Sequence, residues 1–372
     1  MQNLKTIVIG AGLGGLTAAL ALQRAGHRVK VHEQAPSLGE IGAGVMLSPN
    51  ATRILIKLGL GDAIREHGTV PAYTAVRDAH TGQELSNVPI GDSLERRHGA
   101  PFYYIHRVDL HSVLSRAVLS NDPDAIALSC PFTGEESYDC DLMIGADGIK
   151  SRVRSLVSGD IPTQFTGNVA WRGLVPTERL RPEICQPESI IWVGPKRHIV
   201  RYGVRGGTVM NYVALAEQAA WQDEGWNVRA ELSDVLKEFT GWHPDVLEIL
   251  ENTPPESCFK WGLFDRAPLP TWIKGNIVLL GDAAHPMLPF MAQGAATSME
   301  DAATLTAYLG RHADLESALN AYEAERLPRT AWIQQQSRAN QQLYHDNKTG
   351  AAFDEDRALR SQKIYDYDAF AA

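Results

Sequence analysis

The first thirty residues combine short apolar runs with small residues in an order that predicts a β-strand, a helix and a second β-strand. The apolar run KTIVI at residues 5–9 leads into a glycine-rich turn, and a helix of small and aliphatic residues follows, which Gly26 would end. A second apolar run closes at Glu33. These elements in this order form a βαβ unit.

The same reading places further elements along the chain. Helical spacing of apolar residues occurs at residues 48–59 and 106–119, residues 73–99 are polar with alternating β character, and apolar strands run into glycine-containing turns near residues 145 and 280. From about 165 to 257 the runs SIIWVG, HIVRYGV and TVMNYVAL predict a mixed or antiparallel sheet, with a helical stretch near 229–250. A long helix, which Pro328 could kink, is predicted from about 315 to 345.

Size and charge narrow the classes of function. At 372 residues, 44% of them apolar, the chain exceeds one ordinary domain, so we expect two interlocked domains. The net charge is −9 and the basic residues are dispersed, which disfavours nucleic acid and anionic membranes as main partners and favours a small ligand.

The cysteines predict neither a disulfide framework nor a metal site. Cys130, Cys140, Cys185 and Cys258 lack the spacing of a dithiol motif or of metal ligands, so we expect reduced core residues. The chain enters its first strand directly and contains no run of about 18 apolar residues. We therefore expect a cytoplasmic protein without a membrane partner.

The glycine-rich turn carries the dinucleotide-binding pattern. Gly10, Gly12 and Gly15 form G-x-G-x-x-G, in which the second glycine lets the backbone approach a pyrophosphate at the start of the helix. Glu33 ends the second strand where a carboxylate can bind the ribose hydroxyls. We count the neighbouring Leu13, Gly14 and Gln34 as further candidate cofactor residues. Because the pattern occurs once, we expect one permanently held dinucleotide.

The stretch GDAAHPMLPFMAQGAATSMEDA, residues 281–302, predicts a second part of the same site. Asp282 follows a strand and can bind a sugar-like chain, and a helix beginning near Gly294 directs backbone N–H groups at whatever lies before it. Those groups would stabilise the negative charge of a reduced flavin, with His285 and Pro289 near its reactive edge. The alternative is a buried strand, loop and helix packed by small residues.

Three separated motifs resemble the single-component FAD-dependent aromatic hydroxylases, also called class A flavoprotein monooxygenases. They are GAGLGGL with Glu33, DLMIGADGIKSRVR, and GNIVLLGDAAHP with PFMAQGA. WRGLVP, WGLFDRAPLPTW and the terminal IYDYDA are similar to the salicylate, 3-hydroxybenzoate and 6-hydroxynicotinate hydroxylase branch. The resemblance implies an α/β fold with a Rossmann-like, glutathione-reductase-like FAD-binding domain, an inserted mixed β-sheet substrate domain and C-terminal helices.

On this resemblance the domains interleave along the chain. FAD-binding parts are expected at 1–72, 101–160 and 258–310, substrate-domain segments at 73–100 and 161–257, and a helical region at 311–372. The resemblance also implies contacts to FAD, which we assign to the following positions: Arg107, Asp147, Gly148, Asp282, Gly294 and Ala295. Asp147 and Gly148 match a motif thought to serve FAD and the reduced nicotinamide cofactor, and Arg154 belongs to it unless it pairs with an acid.

The chemistry implied by the family needs no metal. FAD would take a hydride from NADH or NADPH, react with O2 to a flavin C4a-hydroperoxide, and hydroxylate a phenolic aromatic or hydroxypyridine carboxylate, with or without decarboxylation. Alternatives are another flavin monooxygenase reaction, such as epoxidation, or a non-catalytic flavin redox sensor. Relatives are often dimers, so a homodimer is a further expectation.

Candidate residues for catalysis and substrate binding are fewer. Tyr202, His285 and Pro289 are candidate catalytic residues, and Tyr202 and Pro289 are also candidates for substrate binding. Arg201 and His198, on the same predicted strand, are further candidates, although each could be an ordinary strand residue. Met46 is a candidate as well. It stands where 6-hydroxynicotinate enzymes, in our reading, carry a histidine, which favours a different ring.

Overall fold

The computed structural model describes residues 1, 3–39, 42–136, 138–221, 228–345 and 351–371. The strands in these ranges are β1 (Lys5–Ile9), β2 (Arg28–His32), β3 (Gly44–Leu47), β4 (Tyr73–Asp78), β5 (Glu84–Pro89), β6 (Tyr103–His106), β7 (Ile126–Ala127), β8 (Leu142–Gly145), β9 (Gln164–Pro176), β10 (Ser189–Gly194), β11 (Arg197–Val204), β12 (Val209–Glu217), β13 (Val228–Arg229), β14 (Phe259–Asp265), β15 (Ile273–Lys274) and β16 (Ile277–Leu279). The helices are α1 (Leu13–Arg24), α2 (Pro49–Lys57), α3 (Gly61–His67), α4 (Gly91–His98), α5 (Arg107–Asn121), α6 (Arg152–Ser158), α7 (Leu232–Glu238), α8 (Pro244–Glu251), α9 (Gly294–Arg311), α10 (Leu315–His345) and α11 (Ala351–Tyr365).

The first sheet contains the parallel strands that the βαβ unit predicts, with an antiparallel edge pair, β15 and β16. Its strand order is β15-β16-β8-β1-β2-β7, and β1 pairs in parallel with both β2 and β8. The carboxyl ends of parallel strands meet at one edge of a sheet, where ligands of such folds bind. The turn after β1, Glu33 after β2, Asp147 after β8 and Asp282 after β16 therefore lie along that edge.

Small residues let the helices pack closely on this sheet. α1 carries a buried run from Gly15 to Leu22 and packs against α5 and α9. Gly26 adopts a left-handed conformation, with φ of 87°, and ends the helix as predicted. The aliphatic residues of β1, α1, β8 and α9 share one hydrophobic core.

The second sheet is mixed, as predicted, with the order β13-β14-β9-β12-β11-β10-β4-β5. Its pairs are antiparallel except β10 with β4. One face is covered by α7 and α8 through a core that includes Trp171, Trp192 and Phe239. The opposite face is turned toward the first sheet and forms the floor of a cavity described below.

Most predicted elements are confirmed, with local differences. The helical stretch near 229–250 is two short helices, α7 and α8, and Pro328 lies inside α10. The thirteen-residue strand β9 and the helix α11 were not predicted individually. The four cysteines are unpaired, but only Cys258 is buried, so the expectation that all four are core residues is wrong for the other three.

The proposed domain boundaries remain a prediction. Strands of the second sheet lie at residues 73–89, 164–229 and 259–265. Since β14 pairs with β9, the boundary we expected at residue 258 fits better after residue 265. Within the described ranges, no helix has both the length and the apolar character needed to cross a bilayer.

Candidate functional site

A cavity of about 690 Å³ lies between the carboxyl edge of the first sheet and the floor of the second. The β1–α1 turn, the segment from Leu280 to Ala295 and β3 contribute walls on the side of the first sheet. Residues of β10, β11 and β12 contribute the floor, and α4 and α11 flank it. The predicted site residues among its lining are Gly12, Leu13, Gly14, Gly15, Met46, Arg107, Gly148, His198, Tyr202, Asp282, Pro289, Gly294 and Ala295.

Gly10, Gly12 and Gly15 of the G-x-G-x-x-G pattern, here called the fingerprint glycines, are required for different structural reasons. A Cβ at Gly15 would lie 2.0 Å from the Gly10 carbonyl oxygen, and one at Gly10, whose φ is 106°, would lie 2.5 Å from the Ala146 oxygen. A Cβ at Gly12 would meet no protein atom within 4 Å. Backbone packing therefore requires Gly10 and Gly15, whereas Gly12 leaves space that a ligand can use.

Glu33 is held in place by the backbone of the turn. Its carboxylate accepts hydrogen bonds from the amides of Ala11 and Ala35, both at 2.8 Å. A carboxylate has about four lone-pair positions, so two amides leave capacity for ribose hydroxyls. Gln34 is exposed beside it.

Arg107 and Asp282 bring opposite charges to the same cavity. Arg107 is the first residue of α5, and Asp282 follows β16. Burial lowers the pKa of Arg107, and the nearby Asp282 opposes that shift. Burial raises the pKa of Asp282, and His285 and Arg107 oppose that shift. The pair offers a donor and an acceptor to a polar chain crossing the cavity.

The beginning of α9 faces the cavity, as the sequence predicts. Gly294 and Ala295 line it, and a Cβ on Gly294 would meet only Met287 Cγ, at 3.9 Å. The preceding Gln293 is buried, and its side-chain amide donates to Ser48 Oγ at 3.1 Å. The helix start therefore presents backbone N–H groups and a positive dipole end to an open space.

Behind that helix lies a buried ionic cluster, which we call the α9 charge cluster and define as Glu300, Asp301, Arg326, Arg329 and His285. Asp301 accepts from His285 Nε2 at 2.6 Å and from Arg326 Nε at 2.8 Å. Glu300 accepts from Arg326 at 2.7 Å and from Arg329 at 2.8 Å. Burial would raise the pKa of Asp301, but the charges of His285 and Arg326 bring it down to about 2.

The α9 charge cluster changes the interpretation of His285. The side chain is 2% exposed and does not line the cavity, because its ring is bonded to Asp301 on the far side of the loop. Asp301 also accepts from the Gly281 amide at 2.9 Å. His285 therefore holds the loop that carries Asp282, and we no longer include it among the proposed catalytic residues.

The cavity floor is set by the register of the second sheet. Thr74, Ser189, Tyr202 and Asn211 are direct cross-strand neighbours, so their side chains share one face. His198 lies four residues from Tyr202 on β11 and faces the same way. Burial raises the pKa of Tyr202, and the adjacent Tyr104 adds to that shift. Tyr202 is therefore a protonated hydrogen-bond donor at ordinary pH.

Arg201 lies on the opposite face, away from the cavity. Its guanidinium donates to the carbonyl oxygens of Pro187 and Gln186. The residue as a whole is 1% exposed. Neighbouring residues of a strand point to opposite faces, so Arg201 and Tyr202 cannot both reach one ligand. We therefore withdraw Arg201 as a proposed substrate contact.

Asp147 serves the fold directly. Its carboxylate accepts from Ser151 Oγ and from the backbone amide of Arg152 at 2.7 Å, at the start of α6. Gly148 lines the cavity, whereas Asp147 does not. A direct contact of Asp147 with FAD therefore stays a prediction, and its present bonds position the turn that carries Gly148.

Three polar residues of the floor were missed from the sequence. Tyr104 Oη lies 2.8 Å from Ser189 Oγ, and Thr74 Oγ1 donates to the same oxygen at 3.0 Å. All three are buried and line the cavity. They come from β6, β10 and β4. Pairing of β4 with β10 places Thr74 beside Ser189, and packing of the two-stranded β3–β6 sheet against the second sheet adds Tyr104.

The residues of the cavity, together with Glu33 at the adjoining strand end, fit FAD. Gly12 and Gly294 leave space for a ligand beside backbone amides, and Glu33, Arg107 and Asp282 supply groups for ribose, diphosphate and ribityl chain. The fold and the site thus define a flavoprotein with a substrate cavity enclosed between two sheets.

Comparisons with known proteins show to which family this flavoprotein belongs. Residues 119–337 match a family described as an FAD binding domain, and residues 8–57 match one described as an NAD(P)-binding Rossmann-like domain. The chain is 36% identical over 350 residues to 6-hydroxynicotinate 3-monooxygenase of Bordetella bronchiseptica, covering 90% of each protein. It is 35% identical over 360 residues to 3-hydroxybenzoate 6-hydroxylase 1 of Aquipseudomonas alcaligenes, covering 93% of this chain and 91% of that protein.

A solved structure agrees. A salicylate hydroxylase substrate complex matches with a TM-score of 0.79 and 26% identity, over 100% of this chain and 97% of the other. The chain belongs to the FAD-dependent aromatic hydroxylases. It is an oxidoreductase of the monooxygenase type that uses FAD.

Proposed function

We propose that this chain hydroxylates a phenolic aromatic carboxylate or a hydroxypyridine carboxylate, with NADH or NADPH and O2 as co-substrates. The observation that carries the proposal is that Tyr202 and His198 lie on the same face of β11 and line the same cavity as the start of α9. Four residues of strand separate their α-carbons by about 13 Å. Side chains at that separation can contact opposite edges of one aromatic ring.

Each part of the cavity has a role in this proposal. When bound, FAD supplies hydride acceptance and oxygen activation. Arg107 and Asp282 hold its polar chain, and the first amides of α9 stabilise negative charge on its ring. Tyr202 remains protonated and donates a hydrogen bond to the phenolic oxygen of the substrate, which favours the electron-rich form of the ring.

The remaining walls exclude water. Phe290 packs against His198 with 5.6 Å between ring centroids, and Ile191, Val213 and Leu215 complete an apolar floor. A dry cavity protects a reactive oxygen species from breakdown to peroxide. Met46 also lines the cavity, at the position where we expect a histidine in 6-hydroxynicotinate enzymes. Its thioether is a poor hydrogen-bond partner for the nitrogen of a pyridine ring, which favours hydroxybenzoates over hydroxynicotinates.

The test is NADH and NADPH oxidation by the FAD-loaded protein against hydroxybenzoates and hydroxypyridine carboxylates, with product and hydrogen peroxide measured together. We expect one compound to stimulate oxidation with close to one product per reduced nicotinamide. Mass spectrometry of the product distinguishes simple from decarboxylative hydroxylation. If every compound yields only peroxide, the proposal fails and a redox sensor becomes the better interpretation.

A further inference from the structure

A second cavity, of about 330 Å³, lies on the other side of the segment from Pro286 to Pro289. It shares Asp282, Met287, Leu288 and Pro289 with the larger cavity. None of the fingerprint glycines lines it, and neither do Tyr202 or His198. It is therefore adjacent to the proposed reaction site and separated from it by a single loop.

The charged lining of this cavity is cationic apart from the shared Asp282. Lys150, Arg154 and Arg266 line it, and the two arginines are only 6% and 5% exposed. Arg154 donates from Nη1 to the Ile149 carbonyl oxygen at 3.0 Å, and its buried Nε has no hydrogen-bond partner among the described residues. Among the described residues, no carboxylate oxygen lies within 4.0 Å of the Arg154 guanidinium, so the expected pairing with an acid is not a direct contact; Asp147 and Asp160 act on it from a greater distance.

A buried cation without an anion in direct contact is costly for a folded protein, because its lost hydration is not fully replaced. The neighbouring positive charge of Arg266 adds to the cost. Burial, followed by the charge of Arg266, lowers the pKa of Arg154 to about 10, and the charges of Asp147 and Asp160 oppose that shift only in part. An anionic group in this cavity would relieve both effects and would satisfy the Nε of Arg154.

The rest of the lining selects among anions. Trp261, Leu263, Phe264 and Leu288 give the same cavity an apolar and partly aromatic wall. Such a wall suits a flat ring and gives little to a hydrated inorganic ion. The volume is about half that of the larger cavity, which suits a single substituted ring.

We propose that this second cavity binds an aromatic carboxylate, with its carboxylate at Arg154 and Lys150 and its ring against Trp261 and Phe264. The ligand belongs to the same chemical class as the proposed substrate, so its physiological identity rests on the proposed function. The site itself does not, because it requires a ring and a carboxylate and makes no use of a phenol.

The test uses benzoate, which has no phenol to hydroxylate, and the oxidised, FAD-loaded protein without reduced nicotinamide. Calorimetric titration gives the number of bound benzoate molecules, and the flavin absorbance reports only binding next to FAD. We expect a binding event that calorimetry detects and flavin absorbance does not. Replacing Arg154 with Gln should weaken that event about tenfold or more, the loss expected for a charge-assisted hydrogen bond.

Matched variants separate the site from general damage to the protein. Lys150→Gln should weaken the same event by a smaller factor, and Arg154→Lys should restore part of the affinity. Arg152→Gln is the control, because Arg152 is exposed on the same helix and lines neither cavity. Tyr202→Phe should leave this event unchanged.

Two results would overturn the proposal. One is a wild-type titration in which every bound benzoate perturbs the flavin, or in which Arg154→Gln and Arg152→Gln bind alike. The other is displacement of benzoate from this site by ADP-ribose, which would assign the cavity to the nicotinamide co-substrate. Absence of hydroxylation in the substrate panel would refute the proposed function and leave the benzoate result standing.

Discussion

The phenol rings of Tyr104 and Tyr202 stack with 4.1 Å between their centroids and 15° between their planes. Tyr104 comes from β6, which forms a two-stranded sheet with β3 on the side of the cavity that faces the first sheet. Tyr202 comes from β11 of the second sheet. The stacked pair therefore joins the two halves of the molecule inside the cavity. It also fixes the direction in which the Tyr202 hydroxyl can point.

Tyr202→Phe should lower substrate-stimulated turnover about 10- to 100-fold, because the substrate loses a hydrogen bond to its charged phenolate oxygen. FAD content should not change. Tyr212→Phe is a matched control, since Tyr212 is buried on the adjacent strand but faces away from the cavity and bonds to Thr253. Steady-state kinetics of both variants on the best substrate decide the matter, and equal losses would argue against a role for Tyr202.

Gly12→Ala and Gly15→Ala should fail in different ways. The new Cβ of the Gly15 variant would collide with the Gly10 carbonyl oxygen, so thermal unfolding of its apoprotein should move to lower temperature. The Gly12 variant meets no protein atom and should unfold like the wild type. It should nevertheless retain far less FAD, because the methyl group fills the space of the diphosphate. Normal FAD binding by Gly12→Ala would contradict the proposed cofactor position.

Asp301 should make the stability of the protein depend on acid pH. Its pKa in the folded protein is about 2, below the ordinary 3.8, so its stabilising effect is complete above about pH 4 and is lost as the pH falls toward 2. Asp301→Asn should reduce the free energy of unfolding by about 3 kcal/mol at pH 7, since it leaves Arg326 without one buried partner. The difference from wild type should shrink on acidification.

Urea unfolding at pH 7, 5, 4 and 3 measures this difference. Asp62→Asn is the control, because the Asp62 side chain is 99% exposed and its ion pair, with Arg65, is on the surface. A constant difference between wild type and Asp301→Asn across this pH range would mean that the α9 charge cluster does not titrate as expected.

The last residues of the chain should control leakage of peroxide. His98 Nδ1 and Asp366 Oδ1 are 2.6 Å apart, and Arg53 donates to the Tyr367 carbonyl oxygen at 2.8 Å. These contacts hold residues 365–370, here called the C-terminal strap, beside the mouth of the larger cavity, which His98 and Tyr365 line. Asp366→Asn should release the strap more often.

A partly exposed hydrogen bond of this kind is worth about 1 kcal/mol, which corresponds to roughly a fivefold larger open population. We therefore expect the peroxide formed per NADH to rise in Asp366→Asn while FAD content stays the same. Asp139→Asn, which removes an exposed pair with Lys5 far from the cavity, should show no such rise. If the two variants form equal amounts of peroxide per NADH, the C-terminal strap does not help to exclude water from the cavity.

The cofactor half of the site was largely predictable from sequence because it is made of local features. A strand followed by Gly10, Gly12 and Gly15, and a strand followed by Asp282, each specify their own geometry over a few residues. Parallel pairing then brings these strand ends to one edge without further information. The positions of Gly294 and Ala295 follow from the start of a helix.

The substrate half depends on register, which the sequence does not reveal. Tyr202 and Arg201 are adjacent and face opposite sides, and only the pairing of β11 with β10 and β12 shows which side is the cavity. Thr74, Tyr104 and Ser189 are far apart in sequence and carry no motif. The sequence places His285 near the flavin because the motif PFMAQGA ends at Ala295, whereas its partner Asp301 lies nearly two turns further along α9.

The C-terminal strap is synthesised after the other parts of the cavity. His98 leaves the ribosome 268 residues before its partner Asp366, an interval of roughly 13 to 54 seconds at ordinary elongation rates. The three fingerprint glycines precede His98 in the chain, and Asp282 is made within that interval, so all four are present before Asp366. We expect the nascent chain to offer an open, already charged cleft to FAD, and the final residues to narrow its mouth afterwards.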